Sequence, residues 1–234
     1  MKPTIVLVHG AFAESSSWNG VIEKLLAAGY PVIAAPNPLR SLSGDAAVVS
    51  AVLSGIAGPV VLVGHSYGGA VASNAAIGHD NVRALVFVAA FAPEQGESIF
   101  ELSGKFPGST LGDTLRQVPL ADGTVDLYIQ QDRFHQQFTA DVTAEHAALA
   151  AATQRPLNTT ALNEASGEPA WKTIPSWFVY PSLDYNIPVE AHRFMAERAG
   201  SRRSVELSGA SHAIPASEPA AVADVILAAA AELV

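Results

Sequence analysis

Val60-Val61-Leu62-Val63-Gly64-His65-Ser66-Tyr67-Gly68-Gly69-Ala70-Val71-Ala72 is the stretch that decides the fold. Four consecutive apolar residues, three of them β-branched, predict a short strand apolar on both faces. The small residues after Gly69 predict a closely packed helix. Between the two lies Gly-x-Ser-x-Gly, a sharp turn that lifts the Ser66 hydroxyl clear of a sheet edge. Glycine on either side of the serine removes Cβ atoms that would collide in such a turn. Ser66 then stands at a helix N-terminus, where free N–H groups and the helix dipole favour a developing negative charge. The pentapeptide alone carries little weight. Its place between an apolar run and a small-residue helix gives it force, because an idle serine in a Gly-rich turn has no need of that setting.

Outward from this stretch, short apolar runs recur at 4–8, 31–35, 84–90, 176–181 and 204–207, each bounded by turn residues. With 60–64 they predict six strands. Segments 17–28, 44–55, 67–78, 189–199 and 217–234 supply the helices between them. Alternating strands and helices with right-handed crossovers predict a doubly wound parallel α/β sheet covered by helices on both faces. The alternation fails once. Roughly 80 residues separate two consecutive sheet strands, too many for an ordinary crossover. The expected organisation is therefore a core of residues 1–92 and 175–234 with a lid inserted at 93–174. Within the lid, a hairpin is expected at 115–120 and 124–129 around Ala121-Asp122-Gly123, with helical pieces at 133–138, 143–153 and 158–166. Aromatic residues of the insertion, Phe134, Phe138 and Trp171, are candidates for the roof of a substrate pocket, with Phe12 from the first loop beside them. Packing within the lid itself is the alternative reading of each.

Composition bounds the function. The 234 residues are 49% hydrophobic and 15% charged, which supplies a core and excludes a disordered chain. Thirteen basic residues against 22 acidic ones give a net charge of −9. That balance argues against nucleic acid and anionic membrane surfaces as partners. The densest basic group, Arg198 to Arg203, reads as the solvated end of a helix. The absence of cysteine excludes disulfides, thiolate nucleophiles and Cys-type metal sites, and fits a reducing compartment. The apolar run at 4–8 is shorter than the ~7–15 residues of an export signal, and 220–234 is too short to cross a bilayer. A cytoplasmic location is expected. Histidines and acidic residues show no metal-ligand spacing and no phosphate-binding glycine pattern is present, so neither metal nor cofactor is expected. A homodimer is allowed for.

A serine nucleophile needs a base, and the base an orienting carboxylate. Ser211-His212-Ala213 follows the last predicted strand, and Asp184 lies in Ser182-Leu183-Asp184-Tyr185-Asn186 just past the strand at 176–181. Both stand where loops reach the carboxyl edge of a parallel sheet, the edge on which such sheets place their sites. Glu94 is a rival acid. The oxyanion donors are expected to be the backbone N–H groups of Tyr67, directly after the serine, and Ala11, in the loop after the first strand, where Gly10 permits close approach. His9 and His65 read as buried braces of these loops. His79, His146 and His192 read as residues of polar helix surfaces or ends without a role.

The His9-Gly10 loop, the Ser66 turn, the insertion, the Asp184 turn and the His212 loop, in that order, resemble the α/β-hydrolase superfamily from end to end. The chain is most similar to the branch that holds plant methyl-ester esterases, hydroxynitrile lyases and related bacterial hydrolases. Val86-Phe87-Val88-Ala89-Ala90-Phe91-Ala92-Pro93 resembles that branch's strand leading into its lid. The resemblance implies six parallel strands in the order 2-1-3-4-5-6, and a Ser66–His212–Asp184 triad. It also separates activities. The lyases carry a threonine where Gly10 stands and a lysine where Ala213 stands, and Ala213 offers no charge to a cyanide leaving group. A serine nucleophile disfavours dehalogenases and epoxide hydrolases, which need a carboxylate. Pro181-Ser182 departs from the small flexible pair frequent among relatives. The leading expectation is a serine carboxylesterase for small, fairly apolar esters. Alternatives are a receptor-like binder that keeps the triad and a lyase of the hydroxynitrile type.

Overall fold

The computed structural model describes residues 2–233; Met1 and Val234, the ends of the expected first core segment and last helix, lie outside the described residues. In chain order the core opens with β1 (Thr4–Val8), α1 (Asn19–Ala27), β2 (Val32–Ala35), α2 (Leu42–Ser54), β3 (Val60–His65), α3 (Tyr67–Ala75) and β4 (Val82–Val88). The insertion follows with α4 (Ile99–Ser103), β5 (Leu115–Pro119), β6 (Val125–Ile129), α5 (Gln131–Phe138), α6 (Ala144–Thr153), β7 (Leu157–Asn158) and α7 (Thr159–Asn163). The core closes with β8 (Ser176–Pro181), α8 (Val189–Arg198), β9 (Arg203–Leu207), α9 (Ile214–Ser217) and α10 (Pro219–Ala231).

Among the described residues, six strands form one sheet in the order β2-β1-β3-β4-β8-β9. All five pairings are parallel. This is the expected topology. Strand side chains alternate between two apolar layers, as the two-residue repeat of a strand requires. Ile5 and Leu7, with Val61, Val63, Val86 and Val88, face Trp18, Val21 and Leu25 near α1 and Val222 and Ile226 of α10. Val6 and Val8, with Leu62, Leu85 and Phe87, face α2, α3, α8 and the inner side of the insertion. Because β3 is covered on both sides, all six of its residues are buried. Both ends of such a strand can therefore open only along its axis, and its carboxyl end is where Ser66 emerges.

The insertion carries a small antiparallel sheet in the order β5-β6-β7. The hairpin pairs Leu115 with Ile129 and Pro119 with Val125. Helix α4 and strand β7 are elements that hydrophobic pattern does not predict, being five and two residues long. A capping box marks α4: Ser98 accepts from the Glu101 amide while the Glu101 carboxylate accepts from the Ser98 amide. The last helix starts later than expected because Pro219 occupies its first turn, with the separate short turn α9 before it. Arg198 is not a solvated helix end. It is half-buried, donates to the Ala92 carbonyl and pairs with Glu97, tying α8 to the start of the insertion. Among the described residues no helix is long and apolar enough to cross a membrane.

Candidate active site

The turn after β3 holds Ser66 at φ 54° and ψ −125°, a left-handed backbone that a serine adopts only under constraint. The constraint is visible. Ser66 N–H donates to Val88 C=O, while its own carbonyl accepts from Gly69 and Phe91. The glycines around it are required by contact distance. A Cβ on Gly64 would fall 2.4 Å from the Gly68 carbonyl, and one on Gly68 would fall 2.4 Å from the Val8 carbonyl. A Cβ on Gly10 would stand 2.6 Å from Ser66 Cβ. The loop after β1 thus lies directly against the serine.

The structure brings Ser66, His212 and Asp184 together from three separate loops. His212 Nε2 is 2.9 Å from Ser66 Oγ, and His212 Nδ1 is 2.7 Å from Asp184 Oδ2. The far carboxylate oxygen, Oδ1, accepts the N–H groups of Asn186 at 2.8 Å and Ile187 at 2.9 Å. An ionised carboxylate only accepts, so Nδ1 of His212 donates to it and Nε2 is left as the acceptor for the serine hydroxyl. All three side chains are buried. Burial works against charge on Asp184, but His212 and the hydrogen bonds from His192 and His212 outweigh it and hold the carboxyl below its usual range.

Two buried histidines brace the loops. His65 Nε2 donates to the His212 backbone carbonyl at 3.1 Å, linking the Ser66 turn to the His212 loop. His9 Nδ1 donates to the Gly10 carbonyl at 2.9 Å. Burial pulls both imidazoles down, His65 to about 3 with His212 adding to the effect, and His9 to about 4. His192 contradicts its reading as a polar-surface residue. It is fully enclosed on the inward face of α8, and its Nε2 lies 3.0 Å from Asp184 Oδ2. Glu94 stands apart from the serine, paired with Lys172 at the insertion's exposed base.

Among the described residues the N–H groups of Ala11 and Tyr67 donate to no protein acceptor. The Tyr67 ring anchors the helix that carries its amide: its hydroxyl donates to buried Asp45 at 2.8 Å. Burial raises the Asp45 carboxyl, partly countered by the Arg40 amide and Tyr67. This Asp45 anchor was not evident in the sequence, where Asp45 stands in an ordinary first helical turn.

A cavity of about 160 Å³ opens over Ser66 and His212. Its walls are mainly apolar and come from both the core (Phe12, Phe91, Ile187) and the insertion (Leu111, Leu127, Leu157), and among the described residues no Lys, Arg, Asp or Glu lines it. Of the aromatic residues expected there, Phe12 and Phe138 do line it. Phe138 also packs edge-on to the His212 ring at 4.9 Å. Phe134 and Trp171 do not. Phe134 lies one layer behind, against Phe138 at 5.2 Å. Trp171 turns toward the base of the insertion, where its Nε1 donates to the Pro93 carbonyl and Arg198 lies over its ring. A family model described as "Alpha/beta hydrolase family" matches residues 5–225. Probable hydrolase R7 from Phoma sp. is 32% identical over 112 residues, covering 42% of this chain and 46% of that protein. The aligned part is thus less than half the length of that curated relative. Among solved structures, polyneuridine aldehyde esterase has a TM-score of 0.83 at 19% identity, covering 97% of this chain and 99% of that one. The methylesterase MES16 from Arabidopsis has a TM-score of 0.82 at 17% identity, covering 98% and 99%. At these identities the likeness is one of fold, and it spans the insertion as well as the core. With the family model spanning nearly its whole length, the chain belongs to the alpha/beta hydrolase family.

Proposed function

We propose that the protein is a serine carboxylesterase for small, uncharged esters with an apolar acyl or alcohol group. The observation that carries this reading is the continuous hydrogen-bonded line from Ser66 Oγ through His212 to Asp184, with its acceptor nitrogen facing the hydroxyl. Ser66 Oγ attacks the ester carbonyl as His212 Nε2 takes its proton. The carbonyl oxygen becomes an oxyanion, which the N–H groups of Ala11 and Tyr67 receive. As the C–O bond to the alcohol breaks, His212 returns the proton to the leaving oxygen. Water then attacks the acyl-serine, again losing its proton to His212, which passes it to Ser66 Oγ as the bond to the acyl carbon breaks and the carboxylic acid leaves. Asp184 stays ionised throughout and stabilises the imidazolium. The apolar cavity supports uncharged substrates, since a carboxylate or ammonium placed there would lose its hydration without a partner. Gly10 and Ala213 support hydrolysis over cyanohydrin cleavage.

The test is hydrolysis of a p-nitrophenyl ester of a short aliphatic or aromatic acid. Wild-type protein is expected to release nitrophenol with turnover, and Ser66→Ala to lose about 10⁴-fold or more in kcat with an unchanged melting temperature. Stoichiometric ligand binding with no nitrophenol released would point to a receptor-like binder instead. Retention of a percent of wild-type kcat by Ser66→Ala would rule out Ser66 as nucleophile.

A further inference from the structure

Asp184 has one more partner than a serine–histidine–aspartate line requires. Its Oδ2 receives Nδ1–H of His212 at 2.7 Å and Nε2 of His192 at 3.0 Å. Since the carboxylate only accepts, His192 donates from Nε2. The ring of His192 is locked against Tyr180 at 5.3 Å with the two planes 9° apart. Its Nδ1 is buried without a hydrogen-bond partner. Burial holds the ring neutral against the opposing pull of Asp184, so one proton, on Nε2, is the state that fits. The plane of the carboxylate is already set from its other side, where Oδ1 is gripped by two backbone amides. Orientation of Asp184 therefore does not depend on His192. What His192 adds is a second claim on the very oxygen that faces the base.

We propose that His192 is a positioning residue that shares Asp184 Oδ2 with His212 and so limits how strongly the carboxylate holds the protonated base. Two N–H donors on one oxygen draw on the same negative charge, and each weakens the other's bond. In catalytic terms the sharing keeps His212 ready to give its proton to the leaving alcohol. Other groups face this pair from the surrounding elements. They are Tyr180 of β8, Glu206 of β9 and His65 at the end of β3, with Ser66 on the far side of His212, while Glu190 and Arg193 of the same helix are exposed and pair with one another. Among the described residues, His192 and His212 are the side chains whose ring nitrogens touch Oδ2. The plain alternative is that His192 fills space under the Asp184 turn, in which case any side chain of similar volume serves.

The inference rests on the esterase reading for its kinetic readout but not for its spectroscopic one. In His192→Leu the acid limb of the kcat/KM–pH profile is expected to move to higher pH by about half a unit or more, as the full charge of Oδ2 returns to His212. The downfield proton resonance of the His212–Asp184 bond moves further downfield. His192→Gln, whose amide donates from a similar position, restores both to near their wild-type places. A limb and a resonance unchanged in a folded His192→Leu would overturn the proposal. Should that variant fail to fold, ring-nitrogen NMR of the wild-type protein decides. His192 is expected to hold its proton on Nε2 and to shift its signals at the midpoint of His212 protonation. Signals of His192 that ignore that midpoint, or a proton on Nδ1, overturn it. If wild-type protein hydrolyses no ester while the resonances still respond as described, the esterase reading has failed and the coupling of the two histidines stands.

Discussion

At Gly10 the absence of one methyl group sets how closely two loops meet. Its virtual Cβ lies 2.6 Å from Ser66 Cβ and 2.8 Å from the His65 carbonyl, both rigid neighbours held by β3 and by the strained turn. Gly10→Ala is expected to push the first loop off the serine, displacing the Ala11 amide from the oxyanion site proposed above. Loss of one oxyanion donor costs roughly 10²–10³-fold in kcat, so a fall of at least that size with KM little changed is the expected kinetic result. Wild-type kcat in Gly10→Ala would mean that the loop after β1 contributes no donor. Phe12 next door adopts φ 58°, uncommon for a bulky residue. Its amide is bound to the Arg155 carbonyl of the insertion, and its ring meets Phe138 edge-on at 6.4 Å. The strained residue is thus where core and insertion hold one another beside the serine.

Helix α5 concentrates the insertion's grip on the site. Phe138 rests against His212, and Gln137 donates to the Tyr185 carbonyl and to Asn186 in the Asp184 turn. Asp141, just beyond the helix, accepts from both the amide and the hydroxyl of Ser211, next to His212. Phe138→Ala is expected to enlarge the cavity and change the kcat/KM ratio of a bulky to a short ester by roughly 10–200-fold. Phe134→Ala, one layer back, should lower the melting temperature through its cavity and leave that ratio nearly unchanged. Equal ratios in both variants would remove Phe138 from the substrate wall. Element by element, the core strands were legible because each is a continuous apolar run between turn residues, as in Ser176–Pro181. The Ser66, Asp184 and His212 positions were legible for the same reason, each standing just past such a run. Which way an insertion aromatic faces was not legible, because Phe134, Phe138 and Trp171 are all apolar and all buried. His192 does carry a sequence signal of burial. It stands three and four residues before buried Met195 and Ala196, on the inward face of α8, although polar Glu190 and Arg193 surround it in sequence.

Across the whole molecule, buried histidines join distant parts of the chain and make stability depend on acid. His65 links residue 65 to the loop at 212, and His9 underlies the loop that meets the insertion. Both are held neutral in the fold, with imidazoles lowered to about 3 and about 4 from an ordinary 6.5. The unfolded chain binds protons at these positions once pH falls below about 6.5, whereas the folded chain refuses them until far lower. Their contribution is therefore fully present above pH 6.5 and is lost progressively as pH falls toward 4 and then 3. Buried His192, also lowered, acts in the same direction, as does Asp184 at the acid end of the range. Asp45, whose carboxyl is raised by burial, opposes them. Each histidine that titrates only in the unfolded chain contributes a slope of about 1.4 kcal/mol per pH unit between roughly pH 6 and 4.5. Urea unfolding at intervals from pH 7.5 to 4.5 is expected to show stability falling steeply below 6.5. Substituting His65 with Gln removes one titrating group, and its curve should fall less steeply by about one such slope even if the variant is less stable at pH 7.5. Parallel curves for wild type and His65→Gln would show that His65 takes up its proton in the folded chain, and that its enclosure between β3 and the His212 loop opens in solution.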